Sequence, residues 1–232
     1  MRNWPLFVAL LAFASTAQAA STTTRNFGVR SFEKIRVEGP YRVTLKTGVA
    51  PFARAKGPAS ALDRLDFEMR GKVLVIRSGP FAKNPAASAL APVEVEIGTH
   101  ELSSAAVTGS GSLSIDKVKG LKFDLIVLGA GVSEIGQVTV DQLSLNLGGN
   151  AAARLSGKSK QLTAILRGLS TLDSSGLEVS DAEIGAEGPS TVRATITKAA
   201  KIDAKGTASF VLAGRPSCTL KVQGSVSVTG CK

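Results

Sequence analysis

Aromatic side chains are scarce in this sequence. They make up 5% of the residues, with one tryptophan, one tyrosine and nine phenylalanines. Trp4 lies within the first 20 residues, so Tyr41 is the only large polar aromatic beyond them. Surfaces that stack single-stranded nucleic acid need such aromatics, and sugar-cleaving grooves commonly present them. The scarcity argues against both classes and implies a core of Val, Leu, Ile and Ala.

Histidine is almost absent, because His100 is the only one. A transition-metal site would need a second histidine or a nearby cysteine. A Ser-His-Asp triad would have to use His100, and although Ser103 and Ser104 are close, no Gly-x-Ser-x-Gly elbow is present. We therefore predict no metal, no cofactor and no catalytic residues.

The chain has two cysteines, Cys218 and Cys231. In an exported protein an even pair indicates a disulfide bond. A redox or metal pair is disfavoured because the spacing is not Cys-x-x-Cys and no histidine lies nearby. We predict a Cys218–Cys231 bond that clamps the last repeat of the chain.

Long apolar runs are confined to the amino-terminal end. Residues 1–20 combine a positive Arg2, an apolar stretch from Leu6 to Ala14 and a small-x-small site at residues 17–19. This arrangement is typical of a Sec signal peptide, and the apolar stretch is too short for a mature transmembrane helix. We predict export to the periplasm or cell surface, with one domain over residues 21–232.

The formal charge of +10 is unevenly distributed. Residues 25–58 hold eight basic and two acidic residues, residues 59–192 hold twelve and fifteen, and residues 193–232 hold seven and one. Two basic ends flank a mildly acidic middle. The asymmetry suggests an anionic partner, and the alternative is a surface kept soluble by its charge.

Glycine recurs at a nearly constant interval between residues 102 and 230. The spacing between successive members is 18 to 20 residues, and the set is Gly109, Gly129, Gly148, Gly168, Gly188, Gly206 and Gly224. A short alternating apolar run precedes each glycine, as in Ala105-x-Val107 and Leu125-x-Val127. A period near 20 indicates stacked coils, and the pattern predicts an all-β parallel β-helix with 18–20 residues per coil. A leucine-rich repeat lacks its asparagine ladder here, and a propeller blade needs twice this period.

The segment before the repeats predicts further strands within residues 27–97. Alternation at period two marks residues 35–37, 43–45 and 93–97, and residues 73–76 form another apolar strand. Leu62, Leu65 and Met69 have helical spacing, so we predict a short helix over 58–70 capped by Ser60. Residues 79–92, which hold three prolines, predict a mobile loop.

Two motifs carry a family resemblance. They are the stretch from Phe32 to Gly48, and the stretch from Val93 through Leu102 to Gly109-Ser110-Gly111. They resemble the opening and the first Gly-Ser-Gly coil of the head GIN-domain family, autotransporter adhesins of unknown function. The resemblance extends over residues 27 to 230 and implies a right-handed β-helix in an exported bacterial protein. It supplies no catalytic residues.

The basic carboxyl-terminal segment contains the candidate binding residues. They are Arg193, Lys198, Lys201, Lys205, Arg215 and Lys221, with Asp203 as the only acid among them. Residues about one period apart stack in a solenoid, so Lys201 with Lys221, and Lys198 with Arg215, could form a basic stripe. Such a stripe would bind anionic polysaccharide or lipid headgroups. The alternative is that these side chains point in different directions and are only solvated.

Three functional hypotheses remain. The first is an exported, non-enzymatic surface or periplasmic protein that is adhesive or binds anionic envelope polymers. The second is an enzyme acting on an acidic polysaccharide, for which Asp181 and Glu183 could share one strand face. The third is a structural envelope protein without a dedicated ligand. The sequence predicts no nucleic-acid partner and leaves the ligand and the oligomeric state open.

Overall fold

The computed structural model describes residues 22–79 and 93–232. The predicted signal peptide and the predicted loop, apart from Gly79, lie outside these residues. The chain is a β-solenoid of about six turns, as the glycine period predicted. Among the described residues, no helix has the length and apolar character needed to cross a membrane.

One long, bent strand forms most of each central coil. The amino-terminal strands are β1 (Thr22–Phe27), β2 (Lys34–Glu38), β3 (Arg42–Thr47), β4 (Phe52–Pro58), β5 (Leu65–Arg70), β6 (Val73–Ser78), β7 (Glu94–Thr99) and β8 (Ser104–Gly109), and the one helix of the described residues is α1 (Ala59–Leu62). The coils follow as β9 (Ser112–Gly129), β10 (Val132–Gly149), β11 (Ala152–Gly168), β12 (Thr171–Glu187), β13 (Thr191–Gly206), β14 (Ser209–Ala213), β15 (Ser217–Gly224) and β16 (Ser227–Thr229). From β9 to β13, each strand pairs in parallel with the next strand in sequence, and β14 and β15 both pair with β13.

Burial along each coil reveals three faces. In β12, inward and outward residues alternate, and two consecutive exposed residues at Ser175–Gly176 reverse the alternation. A second reversal follows Ser180, and the glycine turn makes the third corner. We call the segments of β12 at 171–175, 177–180 and 181–187 the first, second and third faces, and use the same names for the equivalent segments of the other coils.

The core is a column of aliphatic side chains inside the coils. Leu125, Leu145, Ala164, Ile184 and Ile202 occupy one register position in five successive coils, and all are at least 97% buried. Each buried row is covered by the next coil, about 4.8 Å away. This arrangement explains how a chain so poor in aromatics buries a continuous core.

A ladder of glycines forms one corner. The glycines adopt positive φ between 79° and 102° and stand at Gly109, Gly129, Gly149, Gly168, Gly188, Gly206 and Gly224. The sequence prediction of Gly148 for the third coil is wrong by one residue. Gly148 instead faces outward over Leu128 of the coil below, where an added Cβ would lie 2.9 Å from the Leu128 Cδ2 atom.

The predicted helix over 58–70 is mostly wrong. Only α1 is helical; Pro58 occupies its N-cap, and Ser60 lies inside it and does not cap it. Residues 65–70 are β5, which pairs antiparallel with β6 around a turn at Gly71. Leu65, Phe67 and Met69 also alternate at period two, so their spacing fits a strand as well as a helix.

Candidate functional site

Two adjoining depressions run along the corner between the second and third faces. Their volumes are about 560 and 540 Å³. Together they make one groove, which we call the corner groove, and it crosses five coils. Its lining residues are Lys119, Gly120, Leu121, Thr139, Val140, Asp141, Gln142, Lys158, Ser159, Lys160, Gln161, Glu178, Ser180, Asp181 and Lys198.

Side-chain size along the corner creates the depression. Gly120 occupies the register position of Val140 in the next coil and contributes no side chain. Val140 and Ser159 are buried at equivalent positions, whereas Leu121 is 78% exposed beside them. The groove therefore combines an apolar floor with hydroxyl and amide groups on its walls.

The groove lining carries four lysines and three carboxylates, so its net charge is +1. Two of the lysines are neutralised, and Asp181 makes no ion pair among residues 22–79 and 93–232. Lys158 lies 3.3 Å from Glu178, and Lys160 lies 2.9 Å from Asp141. Lys119 and Lys198 make no ion pair within the described residues, which include every acid of the chain. These two lysines stand towards opposite ends of the groove and are free to meet an anion.

The structure separates the six predicted binding residues. Arg193 lies on the first face, while Lys201, Lys205 and Lys221 project from the third face. Lys198 lines the corner groove, and Arg215 follows Gly214, which lies against Ile196 of the coil below. Gly214 over Ile196 and Ser217 over Ala199 both give an offset of 18 residues. Arg215 therefore stands one position out of register with Lys198, and their shared stripe stays a prediction.

The predicted stack of Lys201 on Lys221 is wrong. The local repeat is 18 residues, so Lys201 pairs with Thr219 and Lys221 pairs with Asp203. Lys201 also donates to the Glu183 carboxylate at 2.7 Å, and this hydrogen bond raises the pKa of Lys201. Lys205 stands beside Glu187 of the previous coil. The third face is thus a mosaic of both charges at the residues proposed for the stripe, and their role as anion ligands stays a prediction.

Arg193 belongs to a ladder of alternating charge on the first face. Glu134, Arg154, Asp173 and Arg193 occupy one outward position in successive coils. The Ser175 hydroxyl donates to Asp173 at 2.6 Å, and with the Ser175 backbone N–H, Arg154 and Arg193 it lowers the pKa of Asp173. The ladder balances Arg193 and separates it from the corner groove.

Replacing Asp173 with asparagine should flatten the acid limb of the stability profile. Because folding lowers the pKa of Asp173, its contribution is present above the unfolded-state pKa near 3.8 and is lost as the pH falls through the lower folded value. We expect a cost below about 1 kcal/mol at neutral pH. Thermal melts from pH 7 to pH 2, compared with Asp203→Asn, measure it. An Asp173→Asn profile parallel to that of the wild type would refute the ladder's role.

The sequence did not predict the central part of the groove. Lys119, Lys158 and Lys160 lie within residues 59–192, whose net charge is −3. The distribution of net charge along the sequence therefore indicated the two basic ends of the chain and not this region. A local signal was present at 119–122, where Lys-Gly-Leu-Lys places an apolar residue among outward-facing lysines. Asp181, proposed for an enzymatic pair, lines the groove, but its neighbour Glu183 is held by Lys201 outside the groove lining. The described residues hold no cluster of three potential metal ligands.

Comparisons with known proteins agree on the fold. The family model described as "Putative auto-transporter adhesin, head GIN domain" matches residues 31–216. A solved structure described as a "putative adhesin" from Bacteroides fragilis superposes with a TM-score of 0.78 at 16% identity, covering 91% of this chain and 96% of that one. A search of curated proteins finds no match.

A second similar structure has a different description. It is described as a "putative lipid binding protein" from Parabacteroides distasonis and superposes with a TM-score of 0.68 at 16% identity, covering 89% of this chain and 95% of that one. At such identity these structures establish the shared solenoid and nothing about a ligand.

Proposed function

Because this chain belongs to the head GIN-domain family, we propose that it is an exported, non-enzymatic surface protein that binds an acidic polysaccharide along the corner groove. The observation that carries the proposal is the groove itself, which extends over five coils and has free lysines towards both ends. A groove that follows the solenoid axis suits a linear polymer, since successive coils present binding groups about every 4.8 Å.

The chemistry of the walls fits a charged sugar chain. Lys119 and Lys198 can each pair with a carboxylate of the polymer, and Gln142 and Gln161 offer amide donors and acceptors between them. The exposed Leu121 side chain, beside the buried Val140, can pack against the C–H faces of the sugars. The descriptions of the similar structures as adhesins support binding rather than catalysis.

An enzymatic alternative rests on the three carboxylates of the groove. Asp141 and Glu178 are each paired with a lysine, and Asp181 is the remaining acid on the lining. Acid–base cleavage of a glycosidic bond needs two carboxyl groups in distinct protonation states on either side of the bond. Incubation with the polymer and assay for new reducing ends or unsaturated products tests this alternative directly.

We expect Lys119→Glu/Lys198→Glu to weaken binding of polygalacturonate by about tenfold or more, which corresponds to 1.4 kcal/mol. The two reversals replace attraction with repulsion at free cations on the rim, and added salt should weaken wild-type binding as well. Isothermal titration with polygalacturonate and with neutral dextran measures both effects.

Two double variants complete the test. The matched control is Arg30→Glu/Lys56→Glu, which makes the same charge change at exposed positions outside the groove and should stay within about twofold of wild type. Lys201→Glu/Lys221→Glu tests the third face. Equal losses in all three double variants would show that net charge, not the groove, determines binding.

A further inference from the structure

The last coil leaves core positions uncovered. Ile184 and Ile202 are fully buried, yet Leu220, which continues their column, is 45% exposed. Val222 continues the column of Ala204 and is 47% exposed. Within the described chain, β15 pairs only with β13 and β16 pairs only with β14, so both have an unpaired outer edge.

We call this surface the open end and define it by Leu220, Val222, Val226 and Val228. Val226 and Val228 are half-buried and pack against the core from the side of β16. Apolar inner positions beside unpaired strand edges invite association with another surface. The open end therefore has the character of an interface.

Basic side chains surround the open end. Lys221 projects outward from β15, and Arg215 and Lys232 lie beside Pro216, whose carbonyl accepts the backbone N–H of Lys232. Residues 207–232, which follow β13, contain these three basic residues and no acid. The apolar patch is thus flanked by basic side chains and by no carboxylate of its own segment.

This charge distribution argues against a second copy of the chain as the partner. Tail-to-tail stacking would bring two such ends together, each with three basic residues and no acid in residues 207–232. Head-to-tail stacking would place the open end against the amino-terminal strands, where residues 25–58 have a net charge of +6. Like charges directly opposed across an interface disfavour both arrangements.

We propose that the open end docks on an anionic lipid bilayer. Lys221, Arg215 and Lys232 contact the phosphate headgroups, while Leu220 and Val222 enter the boundary of the acyl chains. A bilayer with anionic headgroups offers negative charge to the basic side chains and an apolar region to Leu220 and Val222. A soluble anionic polymer offers only the negative charge. The proposal builds on the proposed surface location, and it leaves the corner groove, which runs along the side of the solenoid, open to the polymer.

Vesicle sedimentation tests the docking. Processed protein from an exporting host is mixed with phosphatidylcholine vesicles that contain or lack phosphatidylglycerol. We expect binding only when phosphatidylglycerol is present, with a decrease at high salt. Leu220→Ser/Val222→Ser should lower the partition coefficient about tenfold, and Lys221→Glu/Lys232→Glu should lower it by at least about fivefold for each residue.

Matched variants separate the open end from other surfaces. Ile165→Ser/Leu169→Ser removes exposed apolar side chains from the middle of the solenoid and should stay within about twofold of wild type. If Leu220→Ser/Val222→Ser fails to fold by circular dichroism, Lys221→Glu/Lys232→Glu still tests the proposal.

Three results would overturn it: equal binding to both vesicle types, no vesicle binding, or wild-type partition of both open-end variants. A dimer in light scattering that dissociates in Leu220→Ser/Val222→Ser would instead identify a second copy as the partner. Polygalacturonate binding, measured in parallel, reports on the groove alone. If the wild-type protein binds polygalacturonate but no vesicles, only the proposed docking on lipid is overturned.

Discussion

Gly129→Ala is expected to destabilise the solenoid by about 2–6 kcal/mol. Gly129 has φ of +100°, a conformation that L side chains rarely adopt, at a cost of about 1–3 kcal/mol. An added Cβ would also lie 2.7 Å from the Gly109 carbonyl oxygen of the coil below. Because that oxygen belongs to the backbone ladder, relief of the contact must move one coil relative to the other, which adds about 1–3 kcal/mol.

Urea unfolding followed by circular dichroism measures this loss. The matched control is Gly120→Ala in the same strand, where nothing lies within 4 Å of the added Cβ and φ is not positive. We expect the control to lie within about 0.5 kcal/mol of wild type. Equal effects of the two substitutions would mean that the glycine ladder does not set the spacing of the coils.

Loss of the Cys218–Cys231 bond is expected to cost about 2–4 kcal/mol. The structure confirms the predicted pairing, with the two cysteines 13 residues apart in sequence. Closing a loop of this length restricts the unfolded chain, and both half-buried cysteines also pack against the core. The bond holds the segment that contains Val228 over Phe210, which is fully buried.

Melting temperatures with and without reductant measure the contribution of the bond. We expect a reductant to lower the melting temperature of wild type and to leave Cys218→Ala/Cys231→Ala unchanged. The variant should melt at about the temperature of reduced wild type. A stabilising role would be contradicted if the reductant converts both cysteines to free thiols and the melting temperature of the wild type does not change.

The repeat could be predicted from sequence because each coil repeats the same physical requirement. A glycine at the corner and alternating aliphatic residues before it satisfy that requirement independently of every other coil. The choice between Gly148 and Gly149 failed because both are glycine. The positive φ of Gly149 and the contact of Gly148 with Leu128 show which of them forms the corner.

The helix over 58–70 failed for a different reason. Leu62 is buried against the amino-terminal strands and is the last residue of α1, whose C-cap is Asp63. Leu65, two residues after that C-cap, begins β5. The apparent helical spacing therefore joins Leu62 of α1 to Leu65 and Met69, which belong to β5. Pairing of β5 with β6 decided the structure, and that pairing is a tertiary effect.

The candidate site was predictable only in part, because side-chain register depends on the local coil length. The average period near 20 stacks Lys201 on Lys221, whereas the true local offset of 18 residues places each beside a carboxylate or a threonine. The spacing of 17 residues assumed for Lys198 and Arg215 differs from the same offset by one residue, so their stripe stays a prediction. The groove itself arises from Gly120 opposite Val140, a contrast between coils that single-residue patterns do not show.

Lysine acetylation in the presence and absence of polygalacturonate, read residue by residue by mass spectrometry, tests most directly whether the corner groove binds an acidic polymer. We predict that the polymer protects Lys119 and Lys198 and leaves the exposed Lys34 and Lys56 as reactive as in the free protein. Protection of Lys201, Lys205 and Lys221 with Lys119 still fully reactive, or equal protection of every lysine, would contradict it.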